Sequence, residues 1–222
     1  MVKIKYKFIK NHFEKESWAE NCLVCGVDEV GRGCLAGPLV TAAVVLNKGK
    51  TSSLLQDSKI LDENELQKAF AWICKNGIFS YSVVSHRVVD QQNIYQATLI
   101  SMAKSVNQLM MSAKPHLKYV LVDSMPLEIF GVEVRSFDKG ESKSSSIAAA
   151  SIVAKVQRDR IMQRFGKIFP AYKLESNKGY GTKAHWNALV LNNKSIIHRL
   201  SFLGNLETKD ESAEYEKQGM LF

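Results

Sequence analysis

The chain has 222 residues, enough for one substantial domain or two small ones, and its 45% hydrophobic content predicts an ordinary buried core. No run approaches the roughly 18 apolar residues of a membrane span, the lysine-rich start lacks a signal peptide's apolar stretch, and four irregularly spaced cysteines argue against a secreted disulfide framework, so a cytoplasmic protein is expected. Thirty Lys and Arg against 22 Asp and Glu give a formal charge of +8, a balance that favours a polyanionic partner and makes clustered acids informative.

Val2, Ile4, Tyr6 and Phe8 alternate with lysines, and Phe13 to Trp18 has the spacing of a short helix; residues 1–20 read as a leader. Cys22 and Cys25 have CxxC spacing, but no partner pair follows, and they are expected to be reduced core thiols. Leu23 opens an apolar strand that ends in Asp28 and Glu29, followed by Gly31, Arg32 and Gly33; a second β-type run spans Pro38 to Leu46. Consecutive strand residues face opposite sides, so Asp28 and Glu29 are expected to share a site only through a bend or bulge. Gly31 and Gly33 would permit one and let backbone N–H groups approach a ligand closely.

Downstream, Gln56 to Lys59 opens a loop-to-helix transition, a helix is predicted over 63–75, a strand over 78–84 and a helix over 94–111 ending before Pro115. Tyr119 to Asp123 reads as a buried strand ending in a carboxylate, and Val132 to Ser136 as another strand leading to Asp138-Lys139-Gly140-Glu141. From Ser144 to about Phe165 a long helix begins with serines suited to capping and carries an alanine-rich stretch that permits close packing on a sheet. The order of elements argues α/β with a mixed sheet and a helical C-terminal portion. Residues 207–222 are charged and poor in apolar side chains, and are expected to form a flexible tail.

Asp28, Glu29, Asp123 and Glu141 all fall at strand ends or just beyond them, positions that converge on one edge of an open α/β sheet. Carboxylates within about 4–5 Å of each other repel by several kcal/mol and require a compensating cation. An all-oxygen donor set suits Mg²⁺ or Mn²⁺, and two such ions about 3.5–4 Å apart suit phosphodiester hydrolysis.

Over about residues 20 to 205 the chain resembles ribonuclease HII, the type 2 enzyme of the ribonuclease H family. The resemblance is carried by 26–33 (GVDEVGRG), Asp57-Ser58-Lys59, Val122-Asp123, 139–143 (KGESK), 146–156 (SIAAASIVAKV), 178–185 (KGYGTKAH) and 198–202 (HRLSF). It implies a ribonuclease H-like mixed sheet flanked by helices in residues 21–206. The activity it implies is cleavage of RNA in RNA/DNA hybrids and nicking 5′ to single ribonucleotides embedded in duplex DNA, by a monomer that needs a divalent metal. Residue by residue, Asp28, Glu29, Asp123 and Glu141 match the metal-binding acids. Glu141 replaces the more usual aspartate, which shifts the preference toward Mn²⁺ or loosens the site. A glutamate there is similar to ribonuclease HIII, which prefers long hybrids; a catalytically silent hybrid-binding protein is the further alternative. Gly31, Arg32 and Gly33 resemble the family's sensor of the ribose 2′-hydroxyl, the group that separates RNA from DNA. Tyr180 resembles the residue that packs on the sugar after the ribonucleotide.

Within the matching motifs, Lys59, Lys143, Lys178 and Lys183 are candidates for phosphate contacts, and Ser142 and Ser144 could add contacts at the long helix's N-terminus, although capping explains them equally well. Asp57 and Asp159, each near a basic residue, are expected in local ion pairs, and His185 and His198 are read as structural. Finally, Gln218, Leu221 and Phe222 are similar to the Gln-x-x-Leu-Phe peptide by which bacterial replication proteins dock on the sliding clamp.

Overall fold

A computed structural model describes residues 10–204. The alternating segment at 2–8 and the segment 207–222, including the clamp-like peptide, lie outside the described residues. Five strands form one mixed sheet: β1 (Leu23–Val30), β2 (Leu39–Leu46), β3 (Gly77–Val84), β4 (Leu117–Asp123) and β5 (Glu133–Phe137), in the order β3-β2-β1-β4-β5. β3, β2 and β1 pair antiparallel, joined by the loop 31–38 and by a connection that contains the helix Glu63–Asn76, whereas β1, β4 and β5 are parallel.

Side-chain parity assigns the two faces. Val40, Ala42, Val44 and Leu46 of β2 pack with the helices α2 (Glu63–Asn76) and α6 (Ser145–Ile168), while Ala43 and Val45 join Cys25 and Val27 of β1 against α4 (Ile94–Ala113). The alanines 148–150 let α6 lie close to the sheet; a Cβ at Gly26 would stand 2.0 Å from the Ser146 carbonyl carbon. A third apolar cluster joins the end of α6 to the short helix Pro170–Tyr172, α7 (Leu174–Asn177) and α8 (Lys183–Asn192), which makes the last third the helical portion expected.

The segment read as a leader is part of this packing. α1 (His12–Ala19) lays Phe13 against Tyr119 and Phe137, and its Glu14, only 1% exposed, reaches the start of α6. There Glu14 Oε1 accepts from the Ser146 N–H at 3.1 Å and from the Ser144 hydroxyl, while Asn11 Oδ1 accepts from the Ser145 N–H at 2.8 Å. An N-terminus already supplied with a carboxylate satisfies its free N–H groups and its dipole from within the fold.

Candidate active site

No bend separates Asp28 from Glu29. The β1–β2 register runs unbroken through Asp28↔Ala42, Glu29↔Thr41 and Val30↔Val40, so the two acids point to opposite faces of the sheet. They open on one cleft because β1 outlasts its other neighbour: its pairing with β4 ends at Val27↔Val122, leaving Asp28 and Glu29 at the carboxyl edge. One further step of that register sets Asp28 beside Asp123, the last residue of β4. Glu141 comes from the single-turn helix α5 (Gly140–Lys143), joined to Asp123 by the Gly140 N–H, which donates to Asp123 Oδ1 at 3.0 Å.

Asp28 is the electrostatic centre of the group. It is 6% exposed, and burial, then Glu29, Glu141 and Asp123, push its carboxyl well above the usual range. Burial also raises Glu29, against the pull of Arg32, whose Nη1 lies 3.4 Å from Glu29 Oε1; the other oxygen, Oε2, is buried without a hydrogen-bond partner. Burial raises Glu141 too, although the Ser151 hydroxyl donates to its Oε1. Burial opposes the charge on Lys59, but Glu141, Asp57, Asp28 and Asp123 together hold its ammonium pKa above the usual value.

Among the described residues, no three His, Cys, Asp or Glu side chains stand in an arrangement that grips one ion. Each acid instead leans on its own partner: Asp28 on the Glu29 N–H at 2.8 Å, Glu29 on Arg32, Asp123 on Gly140 and Glu141 on Ser151. The donor chemistry nevertheless fits a divalent cation. An orphaned buried carboxylate oxygen and a central carboxyl disfavoured by three neighbouring acids both lack the positive charge such an ion carries.

The cleft, about 730 Å³, is lined by Asp28, Glu29 and Asp123, by Gly31, Arg32 and Gly33, and by Lys59, Lys178 and Tyr180. Gly31 has φ +95°, and a Cβ there would stand 2.3 Å from Arg158 Nε, whereas a Cβ on Gly33 would meet nothing within 4 Å. Tyr180 is 40% exposed and joined to the glycine loop by a bridge between Cys34 and Tyr180.

Other expected contacts lie elsewhere. Lys143 is set over the Phe137 ring at 5.7 Å, and Lys183 begins α8, exposed and off the cleft wall. Ser144 requires correction: at 2% exposure its hydroxyl donates to Glu14 and accepts from the Ile147 N–H at 3.1 Å, so it is the helix cap and not a phosphate contact. Ser142 is likewise used locally, donating to Lys139 O at 2.8 Å. Asp159 pairs with Lys155 at 2.6 Å as expected, but Asp57 accepts from the Lys59 backbone N–H at 2.9 Å and faces Glu141.

Two residues of the site were not singled out from sequence, Ser58 and Ser151. Their hydroxyls meet at 2.8 Å, and Ser151 touches both Glu141 and Asp28. Helical spacing was the available signal: Ser151 lies one turn from Ile147 and Lys155, on the face of α6 that packs against β1.

A family model described as ribonuclease HII matches residues 25–205. A ribonuclease HII of Listeria monocytogenes is 45% identical over 187 residues, 84% of this chain and 70% of that protein. One of Caldicellulosiruptor bescii is 41% identical over 201 residues, covering 89% and 96%. Among solved structures, the PCNA:RNase HII complex of Archaeoglobus fulgidus aligns with TM-score 0.65 at 24% identity, over 80% of this chain and 94% of that one. Bst-RNase HIII in complex with Mn²⁺ aligns with TM-score 0.58 at 19% identity, over 77% and 70%.

Proposed function

The chain belongs to the ribonuclease HII family, and from that premise we propose that it is an endonuclease that hydrolyses the RNA strand of RNA/DNA hybrids and nicks 5′ to single ribonucleotides embedded in duplex DNA. The observation that carries this reading is the juxtaposition of two devices in one cleft. Buried acids gather around Asp28 in a protein of net charge +8, and Gly33 and Tyr180 line the same wall. Asp28, Glu29, Asp123 and Glu141 are the residues that would hold divalent metal, Mn²⁺ or Mg²⁺, as a pair of ions. Metal bound there supplies positive charge against the charge that develops on the phosphoryl group during in-line displacement.

The chain's own residues do the selecting. Gly33 exposes backbone where a side chain would otherwise stand, so a ribose 2′-hydroxyl can be tested at close range. Arg32 holds Glu29 and borders the same loop. The Tyr180 ring offers an apolar face to the next sugar, one that a deoxyribose fits better than a ribose. Lys59 and Lys178 border the acids and the tyrosine, where they attract flanking phosphates. Lys143 and Lys183, off the cleft wall, are assigned to more distant phosphates. Within this reading residues 21–206 form the catalytic unit, which acts in the cytoplasm as a monomer, and Gln218, Leu221 and Phe222 dock it on a sliding clamp.

The test is a duplex carrying one ribonucleotide, incubated with Mn²⁺ or Mg²⁺. Nicking 5′ to the ribonucleotide is expected, and Asp28→Asn is expected to abolish it. No cleavage by the wild-type protein with either metal overturns the enzymatic reading in favour of a hybrid-binding protein. Glu141 alone favours a second reading, a ribonuclease HIII-like preference for long hybrids; efficient cutting of continuous RNA with little nicking at single ribonucleotides would select it.

A further inference from the structure

His185 and His198 are not needed for the chemistry above, yet both are buried and joined by their Nε2 atoms at 3.0 Å. The protons on this pair can be placed by elimination. The carbonyl oxygen of Tyr180 only accepts, so His185 Nδ1, 3.0 Å away, carries a proton and donates to it. Burial disfavours the charged form of both rings and holds His198 down to about 4, so each ring carries one proton. His185 Nε2 is then the acceptor and His198 Nε2 the donor. His198 Nδ1 accepts in turn from the Ser195 N–H at 3.0 Å and from the Ser195 hydroxyl at 2.8 Å. The result is a one-way chain of donors from Ser195 through His198 and His185 to the backbone of Tyr180.

The next residue reaches the other side of the cleft. Arg199 is 0% exposed, and its guanidinium donates only to carbonyls: Nη1 to Arg32 O at 2.9 Å, Nε and Nη2 to Gly37 O at 3.2 and 3.1 Å. Its backbone is sewn to the same segment, with Ala36 bridging His198 and the Arg199 N–H donating to Leu35 O at 2.8 Å. Two consecutive side chains therefore grip the two elements assigned to sugar reading.

We propose that His198 and Arg199 are positioning residues that set the spacing between the Gly31–Gly33 loop and Tyr180, and so govern selection of a ribose followed by a deoxyribose. The proposal rests on the assignment of those two elements as sugar contacts. A shift of the Tyr180 backbone would leave the acids in place while misplacing the ring, so the loss should fall on embedded ribonucleotides and spare continuous hybrids.

The experiment compares kcat/KM on a duplex with one ribonucleotide and on a continuous RNA/DNA hybrid. Removing the His198 ring in His198→Leu takes away the donor to His185 together with both bonds from Ser195, and is expected to lower the ratio of the two values about tenfold. His198→Gln, whose amide can donate from the Nε2 position, should restore most of that ratio. In a Tyr180→Ala background His198→Leu should change the ratio no further. Equal loss on both substrates, or an undiminished effect in the Tyr180→Ala background, overturns the proposal while leaving the Tyr180 assignment intact. A Tyr180→Ala protein with unaltered selectivity overturns the assignment and the proposal with it. Should His198→Leu not fold, the nitrogen spectrum of the wild-type histidines decides: the proposal requires the Nδ1–H form at His185 and the Nε2–H form at His198, and the reverse forms overturn it.

Discussion

Gly31 and Gly33 look alike in sequence and differ in what they do. At Gly31 the backbone has positive φ and Arg158 fills the space a side chain would need, so Gly31→Ala should cost about 2–4 kcal/mol of stability through strain and overpacking. At Gly33 φ lies outside the left-handed region and a Cβ would project into open space on the cleft wall. Gly33→Ala should therefore melt at or slightly above the wild-type temperature while raising KM for a ribonucleotide duplex about tenfold, as expected when a methyl occupies a contact surface. A melting curve and a KM measured on one preparation separate the two, and a Gly33→Ala protein with unchanged KM would remove the glycine from the substrate contacts. Sequence exposed both glycines through their place after a strand that ends in acids, but not this division, because Arg158 reaches Gly31 from more than a hundred residues away.

At the scale of elements, most of the sheet was legible because β2 and β4 are apolar runs and the parity of β1 is plain. The bend expected between Asp28 and Glu29 was a local solution to a problem the fold solves globally: β4 ends at Asp123, opposite Asp28 and two residues short of the end of β1, so both faces of β1 reach the same edge. The role of α1 was hidden for a similar reason, since its partner, the start of α6, lies about 130 residues along the chain. Glu14 takes the place at Ser144 where a phosphate was expected. Glu14→Ala should leave two groups at the α6 N-terminus, the Ser144 hydroxyl and the Ser146 N–H, without an acceptor and cost about 1–3 kcal/mol, read as a lower urea midpoint. Ser144→Ala should lose about 1 kcal/mol and leave KM unchanged. A raised KM in Ser144→Ala, with stability intact, would restore the phosphate role that its burial argues against.

Over the whole molecule, charge is divided. Residues 207–222 hold five acids and two lysines, a net −3, which leaves +11 on residues 1–206 within the total of +8. Attraction to duplex therefore belongs to the body of the chain, and binding should weaken steeply as salt rises. The division decides how the clamp assignment must be tested. Removing all of 207–222 would change net charge and alter affinity for any nucleic acid, so a lost interaction could not be traced to the peptide. Residues 218–222 are uncharged, Gln-Gly-Met-Leu-Phe, and their deletion leaves the electrostatics of the chain nearly unchanged. If Gln218 anchors one end and Leu221 and Phe222 fill an apolar pocket, the short deletion should abolish binding to a purified bacterial sliding clamp. Turnover on a short duplex carrying one ribonucleotide should stay within about twofold of wild type at every salt concentration, because the contacts that set that salt response are untouched. Stimulation by a clamp loaded on long DNA, where tethering raises local concentration, should disappear with the peptide. Clamp binding that survives the five-residue deletion would place the docking contact elsewhere on the chain, and a loss of basal turnover would place these residues at the active site instead.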